Sequence, residues 1–349
     1  MSDFTSPVLV TGGSGYLASW IVVQLLEAGA TVHTTVRDPA RQDKYQHLLE
    51  AAQKGPGTLK VFAADLLQPG SFAEAMQDCK VVIHTASPFI TSGVKDPQKE
   101  LVDPALLGTR QVLETVNQQP QVETVVLTSS VVAVNGDACE LAGKPGGRFS
   151  EADWNTTSSL SHQPYAYSKT LAEKEAWKLH DQQDRWQLSV INPGFILGPS
   201  LTPRADSASI GFMCKMANGT FRSGVPHLEM GIVDVRDVAR AHLQAALRKS
   251  KGRHILVGES LDMWAMAGLL KARFGKRYPF PLMAAPKLLL YLLGPAQGLS
   301  WDFINKNVGL PLRYDNSRSK AELGISYRPA AETLADQIEQ LAKDGLLPA

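Results

Sequence analysis

Three cysteines in 349 residues, Cys79, Cys139 and Cys214, are too few and too scattered for a disulfide framework or a cysteine-rich zinc site. Long hydrophobic runs are also missing. The most apolar late stretch, 288–294, is closed off by Lys287 and Pro295, whereas a bilayer span needs about 20 residues. Neither sign of charge is in excess: 35 Lys and Arg face 34 Asp and Glu, for a net charge of +1, so no broad basic face is available to nucleic acid. With 28 Gly, 21 Pro and 20% charged residues the composition is neither disordered nor of low complexity. Met1-Ser2-Asp3-Phe4 lacks the basic and then apolar regions of a secretory signal. The expectation is a cytoplasmic chain with no membrane, metal or nucleic-acid partner, and with its oligomeric state open. What is present is core material: 44% hydrophobic residues, enough for one large domain or two ordinary ones.

From residue 7 to residue 136, short β-branched runs alternate with longer amphipathic ones. Val8-Leu9-Val10 predicts a buried strand and Gly12 to Gly15 a turn. Leu17, Ile21, Leu25 and Ala28 then stand at helical spacing as far as Gly29. Further strands are expected over 31–36, 59–63, 80–86 and 122–134, with helices over 41–53 and 97–118. This alternation implies right-handed crossovers and a doubly wound α/β fold, a parallel sheet covered on both faces. Later, helices are expected over 165–181, 235–248, 261–274 and 332–343, with strands over 187–191 and 254–257. Residues 1–195 are expected to form the larger domain, with 231–260 returning to it, and 196–349 mainly a smaller one.

Thr11-Gly12-Gly13-Ser14-Gly15-Tyr16-Leu17-Ala18 lies where the first strand turns into the first helix. Such a turn needs Gly12 for its tightness, Gly15 for close backbone approach and a small Ala18 where helix meets sheet. Amides at the helix start, with its dipole, favour a pyrophosphate. The pattern therefore points to dinucleotide binding by Gly12, Ser14, Gly15, Tyr16 and Leu17. Arg37 ends the second strand and Lys44 follows, the charges a 2′-phosphate requires, which favours NADP(H). Asp38 is the contrary residue, and Asp38-Pro39 reads as the cap and first turn of the next helix. Asp65-Leu66, after the third strand, is placed to contact adenine.

Tyr165 and Lys169 stand four apart on one helical face, and an ammonium there would stabilise a phenolate. Chance supplies about 0.4 such pairs in a chain with this many Tyr and Lys, so the pair alone is weak. Thr128-Ser129-Ser130 strengthens it, because hydroxyls within an apolar strand are costly unless they are used. Adjacent strand residues face opposite ways, so only one serine is expected in the site. His84 has no second ligand at metal spacing and reads as packing.

Together these residues resemble the extended short-chain dehydrogenase/reductase family, in its dihydroflavonol reductase-like branch. The resemblance runs along almost the whole chain. Beyond the glycine turn it includes Val36-Arg37-Asp38-Pro39, Val126 to Ser130, Tyr165-x-x-x-Lys169-Thr170-Leu171-Ala172-Glu173, Asn192-Pro193, Asp234 to Ala239 and Ser319 to Gly324. It implies a Ser130–Tyr165–Lys169 triad and NADPH-dependent reduction of a carbonyl compound. Thr85, Ala86 and Ser87 match the segment along the cofactor's sugar, and Pro193 and Phe195 match the segment beside the nicotinamide. Asn135 falls where flavonoid reductases carry a substrate-contacting Asn, although Asn135-Gly136-Asp137 is equally a plain turn. Residues 136–157 look more like microbial aldehyde and ketone reductases than flavonoid enzymes. The family's relay Asn after the fourth strand is not evident, and Asp103 lies nearby.

The leading expectation is an NADPH-dependent carbonyl reductase for a moderately hydrophobic aldehyde or ketone. A hydroxysteroid or sterol dehydrogenase, a nucleotide-sugar epimerase and a non-catalytic NADP sensor are the alternatives. Pocket walls are expected from 200–220 and 279–301, where Met213, Met216, Phe221, Met283, Leu289 and Tyr291 suggest an apolar pocket, although buried core is their default explanation.

Overall fold

The computed structural model describes residues 4–87, 94–203, 207–295 and 298–347. Its first half runs β1 (Val8–Thr11), α1 (Tyr16–Glu27), β2 (Thr31–Val36), α2 (Gln46–Lys54), β3 (Thr58–Ala63), β4 (Val81–His84), α3 (Asp103–Gln118), β5 (Thr124–Thr128), α4 (Pro164–His180) and β6 (Gln187–Pro193). The remainder is β7 (Phe195–Leu197), α5 (Ala208–Ala217), β8 (Glu229–Asp234), α6 (Val235–Leu247), β9 (Gly252–Leu256), β10 (Glu259–Asp262), α7 (Met263–Phe274), α8 (Lys287–Leu293), α9 (Trp301–Asn307), α10 (Ser317–Leu323) and α11 (Ala330–Lys343).

Seven strands form one parallel sheet in the order β3-β2-β1-β4-β5-β6-β9. The two-residue period of a strand divides each apolar run between two cores. Val8 and Val10 enter the cluster under α1 and α6, while Leu9 enters the opposite one under α3 and α4. The chain order reverses between β1 and β4, and the crevice that opens there at the strands' carboxyl ends is where such folds bind ligands. A second, three-stranded sheet in the order β10-β8-β7 carries its own core against α5, α7 and α11.

Several expected elements differ from those observed. The strand expected over 122–134 ends at Thr128, because the Ser130 hydroxyl accepts the Val132 amide at 3.3 Å and caps a 3-10 turn, Val131–Ala133. Helix 97–118 is a wide π-type turn, Gln98–Val102, before α3; Pro104 has no amide to continue a regular ladder there. Helix 41–53 starts only at Gln46, after a 3-10 turn, Gln42–Lys44. Asp38 therefore caps no helix; it accepts the Ala40 amide at 2.9 Å in a local turn. Within 231–260, α6 and β9 join the large sheet while β8 and β10 build the small one.

His84 and His242 are buried in this framework, and burial lowers their pKa values to about 3 and about 4. Between those values and an ordinary His pKa near 6.5, the unfolded chain binds more protons than the folded one, so stability falls as pH falls. Near pH 5 the two together should contribute a loss of about 2–3 kcal/mol per pH unit. Urea midpoints measured from pH 7 to pH 5 test this, and His242→Gln should roughly halve their share of the slope.

Candidate active site

Thr11, the last residue of β1, organises the crevice. Its hydroxyl accepts the amides of Thr85 and Ala86, both at 3.1 Å, so its one proton goes to His84 Nδ1 at 2.8 Å. That fixes the neutral tautomer of His84 with its proton on Nε2. The Thr85 hydroxyl returns a bond to the Thr11 carbonyl at 2.6 Å. Strand end and loop are thereby held together one step beyond the sheet.

Gly12 follows with φ +70°, and a Cβ there would meet Ala86 Cβ at 3.1 Å. A Cβ on Gly13 would stand 2.0 Å from the Thr34 hydroxyl. The Gly12 and Gly13 amides are held by the Thr35 hydroxyl and carbonyl, both at 3.0 Å. Gly15 is the N-cap of α1 and places no side chain over the helix start. Backbone amides at a helix N-terminus, lined by glycine, fit a dinucleotide pyrophosphate. The Leu17 side chain is buried in the core, which leaves only its backbone at the helix start. Tyr16 reaches away to donate to the Gly198 carbonyl at 2.6 Å.

Arg37 and Lys44 are both exposed beside the end of β2, and among the described residues neither is in an ion pair with a carboxylate. Asp38 is occupied by its own turn, and Arg41 pairs with Asp43 instead. Asp65 accepts the Leu67 amide at 2.8 Å, while Leu66 packs against Gly108 of α3.

Tyr165 and Lys169 stand one turn apart on α4, above the ends of β4 and β5. Lys169 Nζ donates to the Ser87 hydroxyl at 3.0 Å and lies 6.0 Å from the centre of the Tyr165 ring. Burial pushes the Tyr165 phenol above its ordinary range and Lys169 down to about 8. The expected lowering of the phenol by Lys169 is thus outweighed by desolvation, and Tyr165 stands as a proton donor. Ser129 is buried and donates to Glu173 at 2.5 Å, whereas Ser130 Oγ lies 3.5 Å from the Pro193 carbonyl. The two serines do divide between opposite sides.

Asn135 is buried, and its Oδ1 accepts from the Tyr314 hydroxyl at 2.8 Å. Phe195 packs edge-on against Phe212. Asp103, at the start of α3, accepts from Gln98 at 2.5 Å. Met213 and Met216 belong to the core under the small sheet, not to a cleft wall, while Met283 and Leu289 are exposed. Residues 204–206 and 296–297 of the two expected wall segments lie outside the described residues.

Three groups near Ser130 were given no role by the sequence reading, although Glu173 and Asn192 stand in its motifs. Glu173, Asn192 and Arg253 are buried behind Ser130, with Asn192 and Arg253 each donating to Glu173. Glu173 also left a local signal, standing four residues after Lys169 on the same helix face, whereas Arg253 left none.

Residues 8–258 match the model of the NAD dependent epimerase/dehydratase family. Cinnamoyl-CoA reductase CAD2 of Medicago truncatula is 35% identical, with 97% of each chain covered. Dihydroflavonol 4-reductase of Gerbera hybrida is 32% identical over 79% of this chain and 75% of its own length. The crystal structure of yeast methylglyoxal/isovaleraldehyde reductase Gre2 complexed with NADPH superimposes with a TM-score of 0.76 at 27% identity, covering 98% of this chain and all of the other. The chain belongs to the NAD dependent epimerase/dehydratase family, as an extended short-chain dehydrogenase/reductase of the dihydroflavonol reductase-like kind.

Proposed function

We propose that this oxidoreductase is an NADPH-dependent carbonyl reductase that converts a moderately hydrophobic aldehyde or ketone to the alcohol, with Ser130, Tyr165 and Lys169 as its triad. The observation that carries the reading is a proton-holding phenol one helical turn from a half-buried ammonium, beside a strand-end serine and a glycine cradle. The relatives named above, reductases of an acyl thioester, a flavonoid and small aldehydes, support the reaction class. Residues 1–195 are assigned to the cofactor, with Asp65, Leu66, Thr85, Ala86, Pro193 and Phe195 along it, and 196–349 mainly to the substrate.

Bound NADPH supplies the hydride for the carbonyl carbon. As negative charge grows on the carbonyl oxygen, Tyr165 gives it the phenolic proton and Ser130 donates a hydrogen bond to it. Lys169, anchored on Ser87, keeps a positive charge beside the phenolate that Tyr165 becomes. Asn135 is assigned to the substrate: with its oxygen taken by Tyr314, its amide N–H groups are the side left to donate.

Tyr165→Phe should lower kcat by about 10²–10⁴-fold with NADPH binding largely kept. In the parent, kcat/KM should fall as pH rises through about 8, where Lys169 loses its proton, and the residual activity of Lys169→Met should lack that limb. A steady-state pH series on a panel of aldehydes, ketones, steroids and nucleotide sugars reads both effects and separates the competing substrate classes. Unchanged turnover in Tyr165→Phe overturns the triad.

Ser130→Ala should lower kcat more than Ser129→Ala; matched kinetics with the reverse order would move the triad by one residue. For the cofactor, a hydrogen bond from Arg37 to the 2′-phosphate is worth roughly 1.5–3 kcal/mol, or about 10- to 100-fold. Arg37→Ala should lose that factor in kcat/KM for NADPH and little for NADH. Equal use of the two cofactors by the parent is the contrary result.

A further inference from the structure

Tyr165, Lys169 and Glu173 recur at every fourth residue of α4, and only the first two have a part in the reaction proposed above. Glu173 is 1% exposed. Its Oε2 accepts from the Ser129 hydroxyl at 2.5 Å and from Asn192 Nδ2 at 2.7 Å, and its Oε1 accepts from Arg253 Nε at 2.6 Å. One carboxylate thus ties the catalytic helix to the exits of β5 and β6 and to β9.

Stability does not explain this arrangement. Desolvating a carboxylate and a guanidinium costs about as much as their attraction returns, and an apolar pair of similar volume commonly does as well or better. The network also leaves Asn192 Oδ1 and Arg253 Nη2 buried without hydrogen-bond partners among the described residues. Each such omission is destabilising, because the desolvated group regains no partner. The remaining bonds of Arg253 go to the carbonyls of Glu151 and Asp153, with its guanidinium stacked 4.0 Å from the centre of the Trp154 ring.

What the network does fix is Ser130. Glu173 holds the Ser129 side chain on the inner side, so the next side chain is turned the other way. Asn192 Nδ2, shared with Glu173, also donates to the Ser130 carbonyl at 3.2 Å and holds that peptide. Among the described residues Ser130's own hydroxyl has only long contacts, 3.3 Å from the Val132 amide and 3.5 Å to the Pro193 carbonyl. Its direction therefore depends on its backbone.

We propose that Glu173 is a positioning residue for Ser130, acting through Ser129 and Asn192. The inference rests on the triad reading above. Glu173→Gln keeps the shape and removes the acceptor of one strong bond, and should lower kcat about 10–100-fold, the scale of a misplaced reacting group, with the Kd for NADPH changed less than about threefold. In a Ser130→Ala background the same substitution should cost less than about threefold in kcat, because the group it positions is gone. The charge-free pair Glu173→Leu/Arg253→Met should regain the Tm lost by Arg253→Met alone and should not regain kcat.

Equal kcat losses from Glu173→Gln with and without Ser130, or full kcat in the charge-free pair, would show a purely structural element and overturn the proposal. Failure of both Glu173→Gln and the charge-free pair to fold would overturn it too, since the network would then be required for folding itself. Tyr165→Phe in the same assay separates the two levels. Its full activity removes the triad and this inference with it; its inactivity beside a fully active Glu173→Gln removes this inference alone.

Discussion

A single hydroxyl at the end of β1 sets the conditions for everything around it. Thr11 takes two amides from the loop after β4 and gives its proton to His84, so the two central strands stay joined just where a parallel sheet would let them diverge. Only with that closure does the Gly12 backbone lie against Ala86, and only then does the glycine turn become a cradle. The same bond fixes the protonated nitrogen of His84, which shares a small cavity with Lys169, Thr128 and Glu173. Thr128 in turn bonds His242 at 2.8 Å, whose other nitrogen donates to the Val238 carbonyl. Two hydroxyl–imidazole pairs therefore lie near Lys169, and in each the neighbours assign the protons.

How much of this was legible in the sequence depended on chain distance. The glycine turn and the Tyr165–Lys169 pair are local, each complete within one or two turns of chain, and both were readable. The large sheet was readable because its central strands β1, β4 and β5 are short apolar runs, nearly all buried. The strand through Ser130 was overextended because its apolar residues continue; Val131, Ala133 and Val134 are buried in a turn instead, two of them against Phe149 and Tyr314. The small sheet left little trace, since β7 is three residues long and three of the four residues of β10 are polar.

Groups that depend on distant partners were invisible. Tyr314 reaches Asn135 across 179 positions, and Arg253 reaches Glu173 across 80. Asp137 accepts from His162, Gln163 and Asn307 at once, joining the loop after Ser130 to the start of α4 and to α9. No periodicity encodes such meetings. They are properties of the folded chain, and they place carboxyl-terminal residues against the floor of an amino-terminal site.

Between β6 and β10 the chain passes from the large sheet to the small one, back through α6 into β9, and out again. Hinge closure works where few strands of chain join two bodies and a handful of dihedrals can absorb the rotation. Here three passages fall within about seventy residues, and Arg236 at one of them is clasped between Asp234 and Asp336. The two sheets are stitched, not hinged. Discrimination among carbonyl compounds then rests with side chains and loops at the cleft's rim, so an engineer seeking new specificity would recut that rim and leave the seam alone.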